Sequence, residues 1–100
     1  GVTSFAELDN NLPEEFVLSQ NYPNPFNPTT TIKYSIPKQS NVTIKVFDIL
    51  GSEVTTLVNK LQSQGNYEVD FDGGELSSGI YFYKLNAGNY VETKKMVLLK

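Results

Sequence analysis

Residues 22–28 read Tyr22-Pro23-Asn24-Pro25-Phe26-Asn27-Pro28 and hold three of the five prolines of the chain. Each proline fixes φ and removes a backbone donor, and the residue before each proline is steered away from the helical region. The stretch therefore predicts an extended, turn-rich crossover and excludes a helix or a central strand. The rings of Tyr22 and Phe26 predict that this crossover is pinned to a sheet edge or to the end of a sandwich. The alternative is a plain proline-rich loop.

Short segments with the period-two alternation of β-strands flank the crossover. In the segment after it, Ile32, Tyr34 and Ile36 alternate with polar residues, as in a strand with one buried face. Predicted strands cover residues 16–18, 30–36, 42–48, 53–58, 67–71, 79–85 and 90–99. About seven short strands separated by turns predict an all-β fold, an antiparallel β-sandwich.

One segment has an ambiguous pattern. In residues 53–61 the spacing of Val54, Leu57 and Val58 fits a helix, whereas the β-branched run that begins at Val54 favours a strand. We predict a strand over residues 53–58, followed by a loop that runs through Gly65.

The segment over residues 79–85 is the most aromatic one. Tyr81 and Tyr83 lie on one face, and Ile80 and Phe82 lie on the other. Because both faces are apolar, we predict a central strand that is buried on both sides near its start.

The inward phase of the alternating segments predicts the core of a monomeric domain. The predicted core residues are Ile32, Tyr34, Ile44, Val46, Val69, Phe71, Tyr81 and Tyr83.

Composition excludes several classes of function. Cysteine and histidine are absent, so the chain lacks the usual zinc ligands and the commonest general base. We therefore predict no enzyme activity and no cofactor. The net charge is −3 and the basic residues are all lysines, which argues against nucleic-acid binding. No apolar run approaches the roughly 20 residues of a membrane span, so no membrane insertion is expected.

Two groups of carboxylates are candidate sites. Asp70, Asp72 and Glu75 surround a glycine turn and offer the oxygen ligands that calcium prefers, but their spacing does not complete an EF-hand loop. They form a weak calcium candidate, and turns also favour these residues. Asp48 and Glu53 resemble an acid pair, but nothing in the pattern predicts a cleft around them.

Aromatic residues at strand spacing raise a further alternative, a platform for sugars. The residues concerned are Tyr22, Phe26, Tyr81, Tyr83 and Tyr90. Since aromatic side chains in strands are more often buried, we predict that they belong to the core.

Three lysines fall one per strand at polar positions: Lys33, Lys45 and Lys84. We interpret them as exposed residues that protect sheet edges. Residues 1–15 are polar and acidic and lack alternation, so we predict a tether to an upstream domain. We expect its first part, residues 1–11, to be mobile and to be the place where processing occurs.

Three separated motifs of the chain point to the same protein family. Their sequences are Gln20-Asn21-Tyr22-Pro23-Asn24-Pro25-Phe26-Asn27-Pro28-Thr29-Thr30, Ser78-Gly79-Ile80-Tyr81-Phe82-Tyr83-Lys84-Leu85 and Lys94-Lys95-Met96-Val97-Leu98-Leu99-Lys100. In this order they resemble the C-terminal sorting domain, type A, of cargo proteins of the type IX secretion system. That family is similar to the immunoglobulin-like domain of the flagellar hook-capping protein. Phe71 stands where the family often has tryptophan, which keeps an apolar plug but loses the indole donor.

The resemblance implies an immunoglobulin-like sandwich over residues 16–100, attached to the C-terminus of a secreted cargo protein. It implies a non-catalytic signal that the outer-membrane translocon reads after export to the periplasm, with a sortase that then cleaves the domain off at the cell surface. The alternatives are a generic binding or spacer module, such as a carbohydrate-binding sandwich, and a hook-cap-like assembly domain.

We predict that the recognition segment comprises Lys94, Lys95, Met96, Val97, Leu98, Leu99 and Lys100. A terminal strand can be peeled from a sheet edge by a receptor that offers its own edge. The lysines would steer the strand toward an acidic receptor surface. The alternative is that these residues only complete the sandwich.

Overall fold

The computed structural model describes residues 12–100, which form two antiparallel sheets and no helix. Their strands are β1 (Val17–Leu18), β2 (Thr29–Ile36), β3 (Ser40–Phe47), β4 (Glu53–Gln62), β5 (Gly65–Asp72), β6 (Gly79–Ala87) and β7 (Tyr90–Leu98). One sheet has the order β1-β2-β5 and the other has the order β4-β3-β6-β7. The predicted all-β sandwich of about seven strands is confirmed.

The core lies between the two sheets, as the alternation predicts. Seven of the eight predicted core residues are buried, and Val69 is half-buried and packs against the same cluster. The described residues leave no buried polar side-chain atom without a hydrogen-bond partner. For example, the buried Tyr34 hydroxyl donates to Gln62 Oε1 over 2.7 Å. The two sheets therefore enclose one apolar core whose few polar groups are satisfied.

The prediction for β4 was too short, because this strand continues to Gln62 and leaves only two residues before β5. Its pairing with β3 shifts register twice, next to Ile44 and next to Val46. Each shift leaves one extra residue on β4, Leu57 and Val54 respectively. Such bulges interrupt the period-two pattern, which is why the spacing of apolar residues along β4 resembled that of a helix.

Lys33, Lys45 and Lys84 lie on β2, β3 and β6, which are the central strands of their sheets. The interpretation that these lysines protect sheet edges is therefore wrong, because each strand is paired on both sides. Lys33 is exposed, whereas Lys45 and Lys84 are only half-exposed.

The proline-rich crossover is pinned to a sheet edge, as predicted. Phe26 forms a parallel bridge with Leu98 on the outer edge of β7. The backbone N–H of Phe26 donates to the carbonyl of Val97, and the N–H of Leu99 donates to the carbonyl of Phe26, both over 2.9 Å. The crossover therefore covers the end of β7 as a short added strand would.

One of the two aromatic rings of the crossover is buried and the other is exposed. Phe26 is 1% exposed and meets Phe71 edge-on, with ring centroids 5.9 Å apart. Tyr22 is 81% exposed, so the prediction that it helps to pin the crossover is wrong. Tyr22 uses its backbone to pair with Thr31, and this pairing points its side chain outward. The Xaa-Pro bonds before Pro23, Pro25 and Pro28 are cis.

Of the predicted tether, residues 1–11 lie outside the described part of the chain, so their predicted mobility and processing stay predictions. Pro13 contacts the domain, because its carbonyl accepts a hydrogen bond from Gln64 over 2.9 Å. No helix among residues 12–100 has the length and apolar character needed to span a membrane.

Candidate functional site

The predicted recognition segment, residues 94–100, alternates between the core and the surface. Met96 and Leu98 are fully buried and belong to the core cluster. Lys95, Val97 and Leu99 occupy the opposite phase, and Leu99 is 56% exposed. The segment therefore completes the sandwich through Met96 and Leu98, and its outward face and Lys100 are accessible to a receptor.

The three lysines of this segment have different environments. The Lys94 ammonium lies 3.3 Å from the Glu92 carboxylate, which also accepts a hydrogen bond from the Tyr90 hydroxyl. These two contacts hold the pKa of Glu92 below its usual range, and the hydroxyl contributes most. The Lys100 ammonium donates to two backbone carbonyls, Gly74 at 2.6 Å and Leu76 at 2.9 Å. Two of the three charges are thus engaged within the domain.

The Lys95 ammonium has no hydrogen-bond or ion-pair partner within residues 12–100. Its side chain is exposed on the outward face of β7. Lys95 is therefore the lysine of this segment that remains available to an external carboxylate.

Two amide side chains, one just before the crossover and one within it, form an amide clamp that holds the backbone of β7. Gln20 Nε2 donates to the Lys95 carbonyl over 2.7 Å, and Asn24 Oδ1 accepts the N–H of Val97 over 2.9 Å. With the backbone bonds of Phe26, they satisfy the edge of β7 from residue 95 to residue 99. A receptor strand that added itself along this edge would first have to displace the crossover.

A buried polar network sets the path of the chain into the crossover. Asn21 is 2% exposed, and its Nδ2 donates to Thr30 Oγ1 over 3.0 Å and to the Pro23 carbonyl over 3.2 Å. The Tyr83 hydroxyl accepts the N–H of Asn21 over 2.8 Å and donates to the Ser19 carbonyl over 2.7 Å. Burial is the main reason that the pKa of Tyr83 is raised to about 12.

Sequence reasoning missed the role of these amides. It interpreted Asn21 and Asn24 as part of a proline-rich motif, because asparagine next to proline is also what turns prefer. The available signal was the alternation of amides with prolines, since a side chain that bonds to backbone can replace the donors that proline removes.

Gly73 marks where the crossover, β7 and the turn after β5 meet. A Cβ atom at this position would lie 3.1 Å from Leu98 Cδ2 and 3.4 Å from Phe26 Cε2. The N–H of Gly73 donates to the Pro28 carbonyl over 2.8 Å. The predicted turn at Asp72-Gly73-Gly74 therefore also provides room for close packing.

The structure does not bring the calcium candidates together. Among residues 12–100, no three acidic side chains are grouped closely enough to hold a metal ion. Asp70 accepts a hydrogen bond from the Thr31 hydroxyl, and Asp72 accepts the N–H of Gly74. Glu75 is exposed in the turn after β5. Asp70 and Asp72 thus have structural partners of their own.

Asp48 and Glu53, the candidate acid pair, have structural roles as well. Asp48 Oδ1 accepts the backbone N–H groups of Leu50 and Ser52 in the β3–β4 turn, each over 2.9 Å. Glu53 lies 3.3 Å from the Lys45 ammonium. One carboxylate therefore shapes a turn and the other forms a surface ion pair.

The five aromatic residues weighed as a sugar platform do not share a surface. Phe26, Tyr81 and Tyr83 are buried in the core, as predicted. Tyr90 is half-buried and stacks on Phe16, with centroids 4.9 Å apart. Tyr22 is largely exposed, so the prediction that it belongs to the core is wrong. The aromatic residues therefore serve mainly to pack the sandwich.

Comparison with known proteins relates the chain to a protein family. The family model described as the secretion system C-terminal sorting domain matches residues 20–99. Neither the curated proteins nor the solved structures include a match. The matched span runs from the first amide of the clamp, Gln20, to the last residue of β7's paired edge, Leu99. The chain belongs to the secretion system C-terminal sorting domain family, the sorting domains of type IX secretion.

Proposed function

We propose that residues 16–100 are a non-catalytic signal that directs an upstream cargo domain through the type IX secretion system and across the outer membrane. The observation that carries the proposal is the family match over residues 20–99, which includes the crossover and β7 together. On this proposal the translocon recognises the folded domain, and the cargo becomes secreted or surface-bound after passing through the periplasm.

The chemistry of the chain supports a non-catalytic role. The sequence has no cysteine or histidine to act as nucleophile or general base. Asp48 and Glu53 are occupied by a turn and by an ion pair. We propose that the polar segment 1–15 connects the signal to its cargo and is where a sortase cleaves.

A sugar-binding module is the less favoured alternative. Such a module presents aromatic faces to its ligand, whereas Phe26, Tyr81 and Tyr83 are buried here. No observation on the described residues favours a hook-cap-like assembly domain, and we expect the domain to be monomeric.

The proposal is tested by fusing residues 1–100 to the C-terminus of a reporter that is exported to the periplasm. The fusion is expressed in a host with a type IX secretion system and in an isogenic strain in which the translocon has been deleted. We expect reporter in the medium or on the surface only when both the domain and the translocon are present.

Two controls make the result specific. The reporter without the domain tests for leakage, and the reporter with the domain at its N-terminus tests whether position matters. Equal release with and without residues 1–100 would contradict the proposed function.

A further inference from the structure

The outward face of the four-stranded sheet carries a cluster of apolar side chains. Phe47 pairs with Phe82 across β3 and β6, and Ile80 pairs with Val97 across β6 and β7. Leu99 follows on the same phase of the chain and is 56% exposed. The other four side chains are half-exposed. The described residues form two sheets only, so no third layer covers this cluster.

At the start of β6, the burial predicted from the sequence pattern differs from the burial in the structure. The start of β6 is apolar on both faces, which predicts burial on both sides. Residues 12–100 bury Tyr81 and Tyr83 but leave Ile80 and Phe82 on the open face. A contiguous exposed apolar patch on a soluble domain commonly marks an interaction site.

Lysines border the apolar cluster, and two of them face each other across neighbouring strands. Lys45 and Lys84 are direct partners across β3 and β6, and Lys95 is the direct partner of Phe82. Like charges placed opposite each other destabilise a sheet, and β3 and β6 are not edge strands that need protection. Local conflicts of this kind are typical of functional sites.

The charges of this face are only partly compensated within the domain. Lys45 has an acidic partner in Glu53, 3.3 Å away. Lys84 instead has its ammonium 5.9 Å from the centroid of the Phe47 ring, and Lys95 has no partner among residues 12–100. Lys84 and Lys95 therefore have no carboxylate partner among residues 12–100 and can meet carboxylates of another protein.

The opposite face of the sandwich has the reverse character. Glu68, Asp70 and Asp72 are exposed on β5, and Lys33 is the lysine on the neighbouring strand β2. The chain as a whole has a net charge of −3. The outward face of the four-stranded sheet is therefore positively charged on a domain that is acidic overall, and its electrostatic potential differs from that of the opposite face.

We propose that this basic apolar face is the surface by which the domain binds an acidic protein surface with an apolar centre in the secretion machinery. The face consists of Phe47, Ile80, Phe82, Val97 and Leu99 with Lys45, Lys84 and Lys95. The proposal rests on the proposed sorting function and specifies its contact surface. Aromatic side chains at the centre of a patch supply affinity, and charges at its rim supply steering and specificity.

A protein partner fits this face better than an anionic membrane does. Lipid-binding segments carry clusters of about four to eight basic residues, whereas this face has three lysines, and one of them is paired with Glu53. The apolar side chains are embedded in a sheet and half-exposed, which suits a complementary protein surface.

The test compares two double charge reversals in the reporter fusion. Lys84→Glu with Lys95→Glu alters the face, and Lys38→Glu with Lys60→Glu alters two exposed lysines outside it. Both variants change the net charge equally. Folding should survive in the first variant, because Lys84→Glu places an acid opposite Lys45. Thermal melting of each purified domain checks this.

We expect release of the face variant to fall by about tenfold or more, since like charges facing each other across an interface oppose binding. Release of the control variant should stay within about twofold of the unaltered fusion. A neutral pair repeats the comparison: Leu99→Ser lies on the face, and Leu61→Ser alters an equally exposed leucine at the far corner of β4. Only the first should reduce release.

The outcomes separate this proposal from the proposed function. If the unaltered fusion is not released, the sorting function itself fails. If it is released and the face variants behave like their controls, the sorting function stands. The proposal that the basic apolar face is the contact surface is then overturned.

Two measurements on the purified domain exclude other occupants of the face. We expect no binding to phosphatidylglycerol vesicles and a monomer in sedimentation. Vesicle binding that the Lys84→Glu, Lys95→Glu variant abolishes would assign the face to a membrane instead. A dimer that the same variant dissociates would assign it to a second copy of the chain.

Discussion

Asn21 illustrates how one buried side chain can determine the course of a loop. Its amide bonds to Pro23 and Thr30, and its backbone N–H bonds to the hydroxyl of Tyr83. The crossover is thereby connected to the central strand β6 at a point where prolines leave few backbone donors. A polar group in such a position is stabilising only while all its partners are present.

Replacing Asn21 with alanine should lower the free energy of unfolding by about 1–3 kcal/mol, because the buried Thr30 hydroxyl and the part-buried Pro23 carbonyl each lose a donor. Urea denaturation measures this loss. Asn27→Ala, at an exposed asparagine in the same crossover, is the matched control and should change the stability by less than about 0.5 kcal/mol. Equal effects of the two substitutions would show that the network does not stabilise the domain.

Tyr83 predicts how stability responds to alkaline pH. Burial raises its pKa from 10.0 to about 12 in the folded domain, so the folded state favours the neutral phenol. The stability that the neutral Tyr83 phenol contributes to the folded domain is fully present below about pH 10 and is lost as the pH rises through about 12. Stability measured by urea denaturation should therefore decline over that interval.

The variant Tyr83→Phe provides the control for this pH dependence. The stability of this variant should decline less steeply at alkaline pH. The decline that remains comes from Tyr34 and Tyr90, because burial also raises their pKa values. At neutral pH the variant should be less stable by about 1–3 kcal/mol, since Asn21 and Ser19 each lose a partner. An unchanged alkaline profile would contradict the assigned role of Tyr83.

At the scale of elements, the crossover acts as a partial eighth strand on β7. It combines main-chain pairing at Phe26 with side-chain bonds from Gln20 and Asn24. Covering part of a sheet edge in this way limits unwanted pairing with other chains. The crossover is therefore part of the sandwich, and the description of it as a plain loop does not apply.

The stability of the domain should depend on the ring of Phe26 and not on the ring of Tyr22. Phe26→Ala removes a ring that is 1% exposed and should destabilise the domain by about 3–5 kcal/mol. Tyr22→Ala removes a ring that is 81% exposed and should cost less than about 0.5 kcal/mol. Chemical denaturation of both variants decides the matter, and a large loss for Tyr22→Ala would mean that its ring is packed in solution.

Sequence reasoning succeeded where the period of the pattern was intact. The alternation in β2 and β3 predicted their inward residues. The apolar pattern of β6 correctly predicted its central place but wrongly predicted burial on both sides near its start, since Ile80 and Phe82 are half-exposed. Sequence reasoning also failed at β4, because two bulges change the phase, and at Tyr22, because hydrophobicity alone does not say which way a turn directs a side chain. The amide clamp and the basic apolar face depend on pairing between distant strands, which one sequence does not specify.

At the scale of the whole molecule, the last strand, β7, completes the core with two buried side chains. Deleting residues 95–100 removes Met96 and Leu98, both fully buried. Truncations of such side chains cost about 2–5 kcal/mol each, against a total stability of about 5–15 kcal/mol for an ordinary domain. We expect the truncated domain to lose its cooperative thermal transition in circular dichroism, while deletion of Lys100 alone preserves it.

A cooperative transition near the original temperature in the 95–100 deletion would show that β7 is dispensable. If the transition is lost, failure of that truncated fusion to be released says nothing about recognition. Surface substitutions such as Lys95→Glu and Leu99→Ser are then the informative way to examine the segment.

The clamp between the crossover and β7 has a consequence for biosynthesis. Gln20 and Lys95 are 75 residues apart in the chain, and contacts of such separation form late because a long loop must close first. On a ribosome, Phe26 emerges long before its partner Leu98 exists. A polypeptide that stalls or is clipped before β7 leaves the crossover without an edge to cover. We therefore expect this domain to fold only in chains translated through β7, so that on the proposed function a chain that ends earlier would not be exported.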